Sequence, residues 1–526
     1  MKNRTYCMLV MVTWVGLAQA QSTFGRIYLS GANAKMSLIE LPSQNVLAGL
    51  AWGPGVSRLD PQGNIIQTKH YWSDSILVQR SIRRCSANAF YFVLGYRQDS
   101  CSASGNLTIP RTYPALGRTD SMGNVLDIRH YRLNTDRCWT SPDDLEVTMD
   151  KGVIIWGGDG TGSQWSFYGM RVDSMGVPLW GKNFSRNGSF KFIKELPGGD
   201  LLAGFDMDTA GASVARMDAD GNFLWCKSYV RPGGKIHDAV VESDSAFIIT
   251  GLTTVTGQPR LFMLRLNGAG EVLWCRGYDS DPDGFAVEQS RIERTLDSNY
   301  VVSATLRQPG VVPFLRPLLM KTDLNGDTLW TRSVGGVNHT YYTKDLLVCS
   351  DGGYMVSGGI VGDLPQGWTG APFILKTDPE GHFSCFERYH PVQVLDLFPT
   401  DSSFVLTSVD GATVHTAFVN DTIFDPLSVY DACVITSVPQ YARQYPKPPS
   451  IRPNPNTGRF TVQFHDPLLA ESYYSVYDTM GKLLVQRRLP AGATSEEVDL
   501  SRFGRGTYVL KFTSPDGVCH ERVVVE

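Results

Sequence analysis

Apolar and polar residues alternate along most of this 526-residue chain in short runs, such as Phe460-Thr461-Val462-Gln463-Phe464 and Tyr508-Val509-Leu510-Lys511-Phe512. A period of two predicts strands with one buried face. The runs stop at Gly, Asp, Asn and Pro, the residues that turn a chain. One of the breaks recurs as a phrase: Asp60-Pro-Gln-Gly63, Asp120-Ser-Met-Gly123, Asp173-Ser-Met-Gly176, Asp218-Ala-Asp-Gly221, Asn267-Gly-Ala-Gly270, Asp323-Leu-Asn-Gly326 and Asp378-Pro-Glu-Gly381. The 318 residues from Gly63 to Gly381 divide into six intervals averaging 53. Four copies run on into Leu-Trp, at Leu179-Trp180, Leu224-Trp225, Leu273-Trp274 and Leu329-Trp330, and a Gly-Gly-Tyr-like phrase precedes the turn, as in Gly352-Gly353-Tyr354-Met355-Val356.

A unit of this length with four strands and two tight turns has the size of a propeller blade. We label its strands A to D: A precedes the Gly-Gly-Tyr phrase, B contains it, C ends at the Asp and D carries Leu-Trp. A single sheet has two apolar faces and can bury them only against neighbouring sheets, which a closed ring provides. The expected fold is therefore all-β: a seven- or eight-bladed β-propeller followed by a small antiparallel β-sandwich C-terminal domain. Residues 392–397 and 404–407 suggest an eighth A and B pair, followed by 414–419, and Phe24 to Leu29 suggests a closing strand. The body resembles the Kelch-like propellers of secreted bacterial proteins, a likeness that fixes no activity. The four Trp rings hold one place on strand D and are expected to pack between blades.

The last 76 residues have a different character. They open Pro453-Asn454-Pro455-Asn456-Thr457-Gly458, pass a hairpin at Asp478-Thr479-Met480-Gly481, and run through Gly506-Thr507-Tyr508 to Val523-Val524-Val525. On these residues the segment resembles the type A C-terminal sorting domain of the bacterial type IX secretion system. The resemblance implies recognition by that machinery at the outer membrane, with Pro453, Asn454, Pro455, Gly458, Asp478, Gly481 and Gly506 carrying the motif. It departs from the family in ending on Glu526, where a basic residue is common, and in carrying Cys519.

The other end agrees with export. Lys2 and Arg4 precede an apolar run from Met8 to Leu17, and Ala18-Gln19-Ala20 has the small-x-small pattern of signal-peptide cleavage. The expected division is a signal peptide at 1–20, a propeller at 21–437, a linker at 438–450 carrying Pro439, Pro446, Pro448 and Pro449, and the sorting domain at 451–526. Past residue 20 no apolar run approaches the roughly 18 residues of a membrane helix. Losing Lys2 and Arg4 with the signal moves the formal charge from −4 to −6, without long blocks of either sign, which argues against nucleic acid as a partner.

Candidate chemistry is sparse. The A–B and C–D turns of such a blade emerge on one side and the B–C and D–A connections on the other. The second set varies in length and composition, so it is the expected recognition face. Two of its loops carry an indole among glycines, Trp165 and Trp368, suited to stacking on a sugar or gripping a protein. Asp279, Asp281 and Asp283 with Gly284 have the opening spacing of a Ca²⁺ loop, but position twelve is Ser290 rather than Glu. His237 beside Asp238, and His339, fall in D–A connections and are read as solvated or capping. No Gly-x-Ser-x-Gly elbow, His-Glu-x-x-His motif or phosphate-cradling loop is present.

Nine cysteines follow the signal, so at least one thiol is unpaired within the chain. Cys85 with Cys101, inside one blade, is the expected disulfide. Cys226 and Cys275 occupy equivalent outer positions of neighbouring blades, beyond the roughly 7 Å Cα limit, and are not expected to bridge. The spacing holds no zinc pattern. The reading is a secreted or surface binding protein exported through the periplasm, whose loop face takes a carbohydrate or a protein. The alternative is a secreted hydrolase or lyase acting on polysaccharide or peptide through carboxylates at the axis.

Overall fold

The computed structural model describes residues 23–432 and 449–526, apart from 30–36, 50–54, 104–106, 136, 162–163, 185–186, 208–210, 230–233, 254–258, 281–283, 287–288, 308–314, 336–338, 363, 365–369, 384–386, 425–427, 465–466, 469–471, 479–481 and 515–516. The expected signal peptide and nearly all of the proline-rich linker lie outside these. The chain divides into two compact units, Met1–Thr436 and Ser437–Glu526.

In the first unit, strands A to D pair in order within each repeat. The sheets are Leu38–Glu40 to Ile65–Trp72, Ile76–Arg84 to Val125–Leu133, Trp139–Val147 to Pro178–Phe184, Gly188–Glu195 to Phe223–Ser228, Lys235–Ser243 to Val272–Asp279 and Arg291–Arg294 to Thr328–Val334. The seventh takes A to C from His339–Val348, Tyr354–Gly362 and Gly370–Lys376, and its fourth strand from the start of the chain, Phe24–Leu29, which pairs antiparallel with Gly370–Lys376. The N-terminal segment is thus the closing strand that its alternation suggested. The second and third sheets also touch through a parallel pairing of Trp139 with Thr112.

The Asp-x-x-Gly phrase forms one turn throughout. Asp60 Oδ1 accepts from the amides of Gln62 and Asn64, Asp218 does the same for Asp220 and Asn222, and the turn glycines have φ between 71° and 80°. Each turn also fastens neighbouring sheets together. The hydroxyls of Tyr28, Tyr71, Tyr131, Tyr229 and Tyr278, all on or just after strand D, donate to the carbonyls of Gly63, Gly123, Gly176, Gly270 and Gly326 in the following sheet. The Leu-Trp indoles lie against the same turns: a Cβ at Gly270, already at positive φ, would stand 2.8 Å from the ring of Trp225. These Trp residues pack between sheets, as expected.

The segment after the seventh repeat does not build an eighth hairpin. Of the residues expected as an A and B pair, 392–397 carry a strand, Gln393–Asp396, that adds to the edge of the fifth sheet, and 404–407 form no strand, the neighbouring Ser402–Ser403 adding instead to the edge of the fourth. From Glu387 to Asp431 the chain runs backward past all seven sheets as a strap. It lays a fifth strand on strand D of the sixth, fifth, fourth, third, second, first and finally seventh sheet. The reason is physical: strand D is an edge with unpaired N–H and C=O groups, and the strap satisfies them. Ion pairs repeat with it, joining Lys69 to Asp421, Lys182 to Asp410, Lys227 to Asp401, Arg276 to Asp396, Arg332 to Glu387 and Arg26 to Asp431.

The disulfide is also different from the expectation. Cys101 bridges Cys138, with Cα atoms 5.5 Å apart, and Cys85 is free. Strands B and C of the second sheet, Ala89–Ala103 and Leu107–Asp120, are long enough to carry Cys101 past its own sheet to the start of the third. Cys226 and Cys275 are not bridged.

The second unit consists of two sheets, three-stranded (Ser450–Arg452, Arg459–Gln463, Ser495–Asp499) and four-stranded (Leu483–Leu489, Ser472–Tyr477, Gly506–Ser514, Gly517–Val525). They enclose a core of Phe460, Val462, Tyr474, Val476, Leu510, Phe512 and Val523. This is the predicted small sandwich. Among the described residues, no helix is long and apolar enough to cross a membrane.

Candidate functional site

Strands A of the second to seventh sheets bring one group of charges together. Arg83 comes from the second sheet, Asp144 and Glu146 from the third, Lys194 from the fourth, Asp238 from the fifth, Arg291 and Glu293 from the sixth and Asp345 from the seventh. Arg83 Nη2 contacts both oxygens of Asp144, at 3.1 and 3.2 Å; Lys194 Nζ lies 3.5 Å from Glu146. Arg291 reaches Asp144 at 3.7 Å and Asp238 at 3.9 Å.

Most of these carboxylates stitch strand to strand. Asp238 accepts from its neighbour Ala239 N and from Ile292 N of the next sheet, while Asp345 Oδ2 accepts from Leu38 N, joining the seventh sheet to the first at 2.8 Å. Burial opposes the charge of Arg83, but Asp144, Asp345, Glu146 and Asp238 outweigh it and hold its proton more firmly than usual. Burial raises the carboxyls of Glu146 and Asp345, offset in part by Lys194 and Arg83 for the first and by Arg83 and Arg291 for the second. Glu293 is raised too. Solvent reaches its side chain, yet protein surrounds it, and burial pushes its carboxyl up to about 7 against the pull of Lys194.

Beside this group, toward the ends of the sheets from which the D–A connections enter strand A, lies a cavity of about 260 Å³. Its wall is built by bulges. In strands A of the third, fourth and fifth sheets the register slips at Pro142/Asp144, Phe190/Phe192 and Ile236/Asp238, and the residues in the slips, Asp143, Lys191 and His237, all line the cavity. A bulge places an extra side chain where regular pleating would not. Lys235, Asp206, Trp156, Gln289 and Arg291 complete the polar wall. Asp206 accepts from Ile236 N at 3.0 Å and pairs with Lys191 at 3.3 Å.

His237 is on strand A, 8 % exposed, rather than in a solvated connection. Its Nδ1 accepts from the amide of Ser290 at 3.0 Å, which places the proton of the neutral ring on Nε2. Burial and the charges of Lys191, Arg291 and Lys235 lower its pKa to about 3. His339 opens strand A of the seventh sheet and is buried as well.

The other sequence candidates are placed as follows. Trp165 lies on strand C of the third sheet, opposite Gly160, and Trp368 is outside the described residues. Asp279 ends strand D of the fifth sheet with its carboxylate 2.6 Å from Arg260. Asp281 and Asp283 are outside the described residues. In the second unit, Asn454 holds the last strand by accepting from Val524 N and donating to Arg522 O, and Asn456 accepts from Gly458 N. Gly458 has φ +101°, and a Cβ there would sit 2.7 Å from the Cα of Ser501. Asp478 closes its turn onto Lys482 N, in the same manner as the body turns; Gly481 is outside the described residues. Gly506 starts the strand Gly506–Ser514. The Pro-Asn-Pro-Asn opening is therefore a clamp on the C-terminal strand.

Sequence reasoning named His237 and Asp238 but missed Asp143, Lys191 and the other charges of strands A, because a bulge leaves no mark on a period-two pattern. Comparison with protein families matches residues 450–526 to the secretion system C-terminal sorting domain. The chain carries a type IX sorting domain at its C-terminus, which indicates export to the surface or medium and interaction with the type IX machinery. Comparison with curated proteins gives no match. Among solved structures, a protein of unknown function from Bacteroides caccae is 13% identical and covers 46% of this chain and 93% of its own, at a TM-score of 0.23.

Proposed function

We propose that residues 21–437 form a seven-bladed β-propeller, freed of a signal peptide at Gln21, which binds an extracellular carbohydrate or protein at the axial cavity and is delivered by the C-terminal sorting domain. Support for the ring comes from the Leu38–Asp345 contact between the first and last sheets and from the shared charge cluster. The observation that carries the binding reading is the cavity wall. Three consecutive inner strands bulge to present Asp143, Lys191 and His237 to one space, at the end of the sheets where the D–A and B–C connections lie. Trp165, near the start of strand C of the third sheet, and Trp368, between strands B and C of the seventh repeat in sequence, are the proposed rim anchors.

Binding is favoured over catalysis because Asp144, Asp238 and Asp345 are committed to backbone amides and to Arg83 and Arg291. A glycan and cell-surface protein array probed with the mature chain from Gln21 tests this: retained ligands should be lost or weakened by Lys235→Ala. A silent array, or hits indifferent to that change, would overturn the assignment. For delivery, a chain lacking Ile451 to Glu526 should accumulate in the periplasm; its normal appearance at the surface or in the medium would refute the sorting role.

One observation favours the second reading, a hydrolase or lyase acting on polysaccharide or peptide. Burial pushes the Glu293 carboxyl up to about 7, the range in which a general acid or base works. Hydrolysis of a polysaccharide or peptide panel, abolished by Glu293→Gln, would establish it.

A further inference from the structure

Resting on the reading of the axial cavity as a ligand site, we infer that its ligand is a single acidic sugar residue, held by its carboxylate and ring hydroxyls. The wall is rich in donors. His237, more than nine-tenths buried, has Nδ1 filled by Ser290, which leaves Nε2–H as the ring nitrogen without a protein partner among the described residues. The Arg291 guanidinium has its Nη atoms 3.7 and 3.9 Å from carboxylates, beyond hydrogen-bond length. Lys235 is exposed at the start of its strand and lines the same space. The indole N–H of Trp156, a residue 3 % exposed, is a further buried donor without a partner. Against these stand the amide oxygen of Gln289, an acceptor without a partner, and the carboxylates of Asp143, Asp144 and Asp206, of which Asp144 is held by Arg83 and Asp206 by Lys191 and the amide of Ile236.

A ligand that satisfies this wall must present several acceptors, at least one of them charged, and some donor capacity. A sugar carboxylate does so: the planar oxygens match a guanidinium, and hydroxyls both accept and donate. Size agrees, since the cavity of about 260 Å³ is smaller than the roughly 300–1,000 Å³ of pockets for drug-sized ligands and suits one ring rather than a chain. The aromatic edges of Trp156 and Phe190 supply the apolar part of the wall. The cations Lys191, Arg291 and Lys235 that depress the His237 proton act on a bound anion with the opposite sign, favouring it.

The test is calorimetric titration of the mature chain with methyl β-D-glucuronoside, its neutral counterpart methyl β-D-glucoside, and acetate. The glucuronoside is expected to bind, with the glucoside and acetate each weaker by about ten-fold or more, the share of one charge-assisted hydrogen bond. Lys235→Ala, an exposed substitution that spares the axial ion pairs, should weaken the glucuronoside by about ten-fold and leave the melting temperature unchanged. Trp156→Phe, which keeps a ring in the wall, should weaken it less. Equal binding of glucoside and glucuronoside overturns the acidic class, and acetate binding as well as the glucuronoside reduces the site to an anion hole. If the glucuronoside fails to bind while the array returns ligands sensitive to Lys235→Ala, this inference fails and the binding reading stands; if the array is silent too, both fail.

Discussion

The hydroxyl of Tyr28 donates to the carbonyl of Gly63 at 2.8 Å, tying the N-terminal strand, which completes the seventh sheet, to the turn of the first. The same bond recurs between neighbours, for example Tyr229 to Gly270, but only here does it join sheets whose other strands are about 300 residues apart in sequence. Both rings are fully buried, so the Gly63 carbonyl loses a buried donor when the Tyr28 hydroxyl goes, whereas that of Gly270 keeps Lys227 Nζ at 3.1 Å. Tyr28→Phe should cost about 1–3 kcal/mol, as an unsatisfied buried acceptor does, and Tyr229→Phe less, because Lys227 still donates to Gly270. Scanning calorimetry reads both. A chain beginning at residue 37, without the closing strand, should also lose the single cooperative transition of its body.

The strap gives a second expectation. A chain ending at residue 437 keeps the fifth strand of every sheet, whereas one ending at residue 383 strips all seven. The longer should melt near the parent's body transition. The shorter should melt well below it and aggregate, because it bares the outer edges together with Lys69, Lys182, Lys227, Arg276 and Arg332. Light scattering during a thermal ramp distinguishes them. Single ion-pair removals such as Asp410→Ala should cost no more than about 1 kcal/mol, since Asp410 is largely exposed.

Thiol chemistry gives a third. Non-reducing peptide mapping should find Cys101 linked to Cys138, and Cys138→Ser should lower stability by about 3–4 kcal/mol, the chain-entropy value for a loop of 37 residues. Burial pushes the thiols of Cys226, Cys275 and Cys349 up to about 12, so they should resist alkylation at pH 8 until the protein unfolds.

A fourth concerns pH. Burial raises Glu293 from 4.5 to about 7, so the folded state holds its proton where the unfolded state has lost it. Its contribution therefore falls as pH rises from about 4.5 to about 7. Burial lowers His237 from 6.5 to about 3, and His130, stacked between Tyr96 and His415, to about 4. There the unfolded state takes the proton first, so stability is lost as pH falls below 6.5. The melting temperature of Glu293→Gln relative to the parent should climb between pH 5 and pH 8. A difference that stays flat over that range would show that Glu293 ionises normally.

Much of the fold is legible in the sequence. The Asp-x-x-Gly phrase, its spacing and the Leu-Trp that follows gave the sheets, because a turn that needs positive φ and an Asx cap can be met by few residues. The sorting domain was legible in Pro453 to Gly458 for the same local reason. The strap was not: 392–397 and 404–407 alternate as any strands do, and alternation says which face is buried, not which edge is the partner. A signal was nonetheless present, in the basic residue two places after each indole, Lys182, Lys227, Arg276 and Arg332, facing acids spaced along 387–410.

What the sequence by itself determined, then, is the repeat, its turns and the export label, all set by interactions within a few residues. Only the tertiary structure decided that the segment after the seventh repeat edges every sheet, that Cys101 finds Cys138, and that Asp143, Lys191 and His237 meet at one cavity. Those choices depend on edges and bulges brought together across tens to hundreds of residues, and pairing across such distances is settled by which unsatisfied backbone groups and buried charges come to lie side by side.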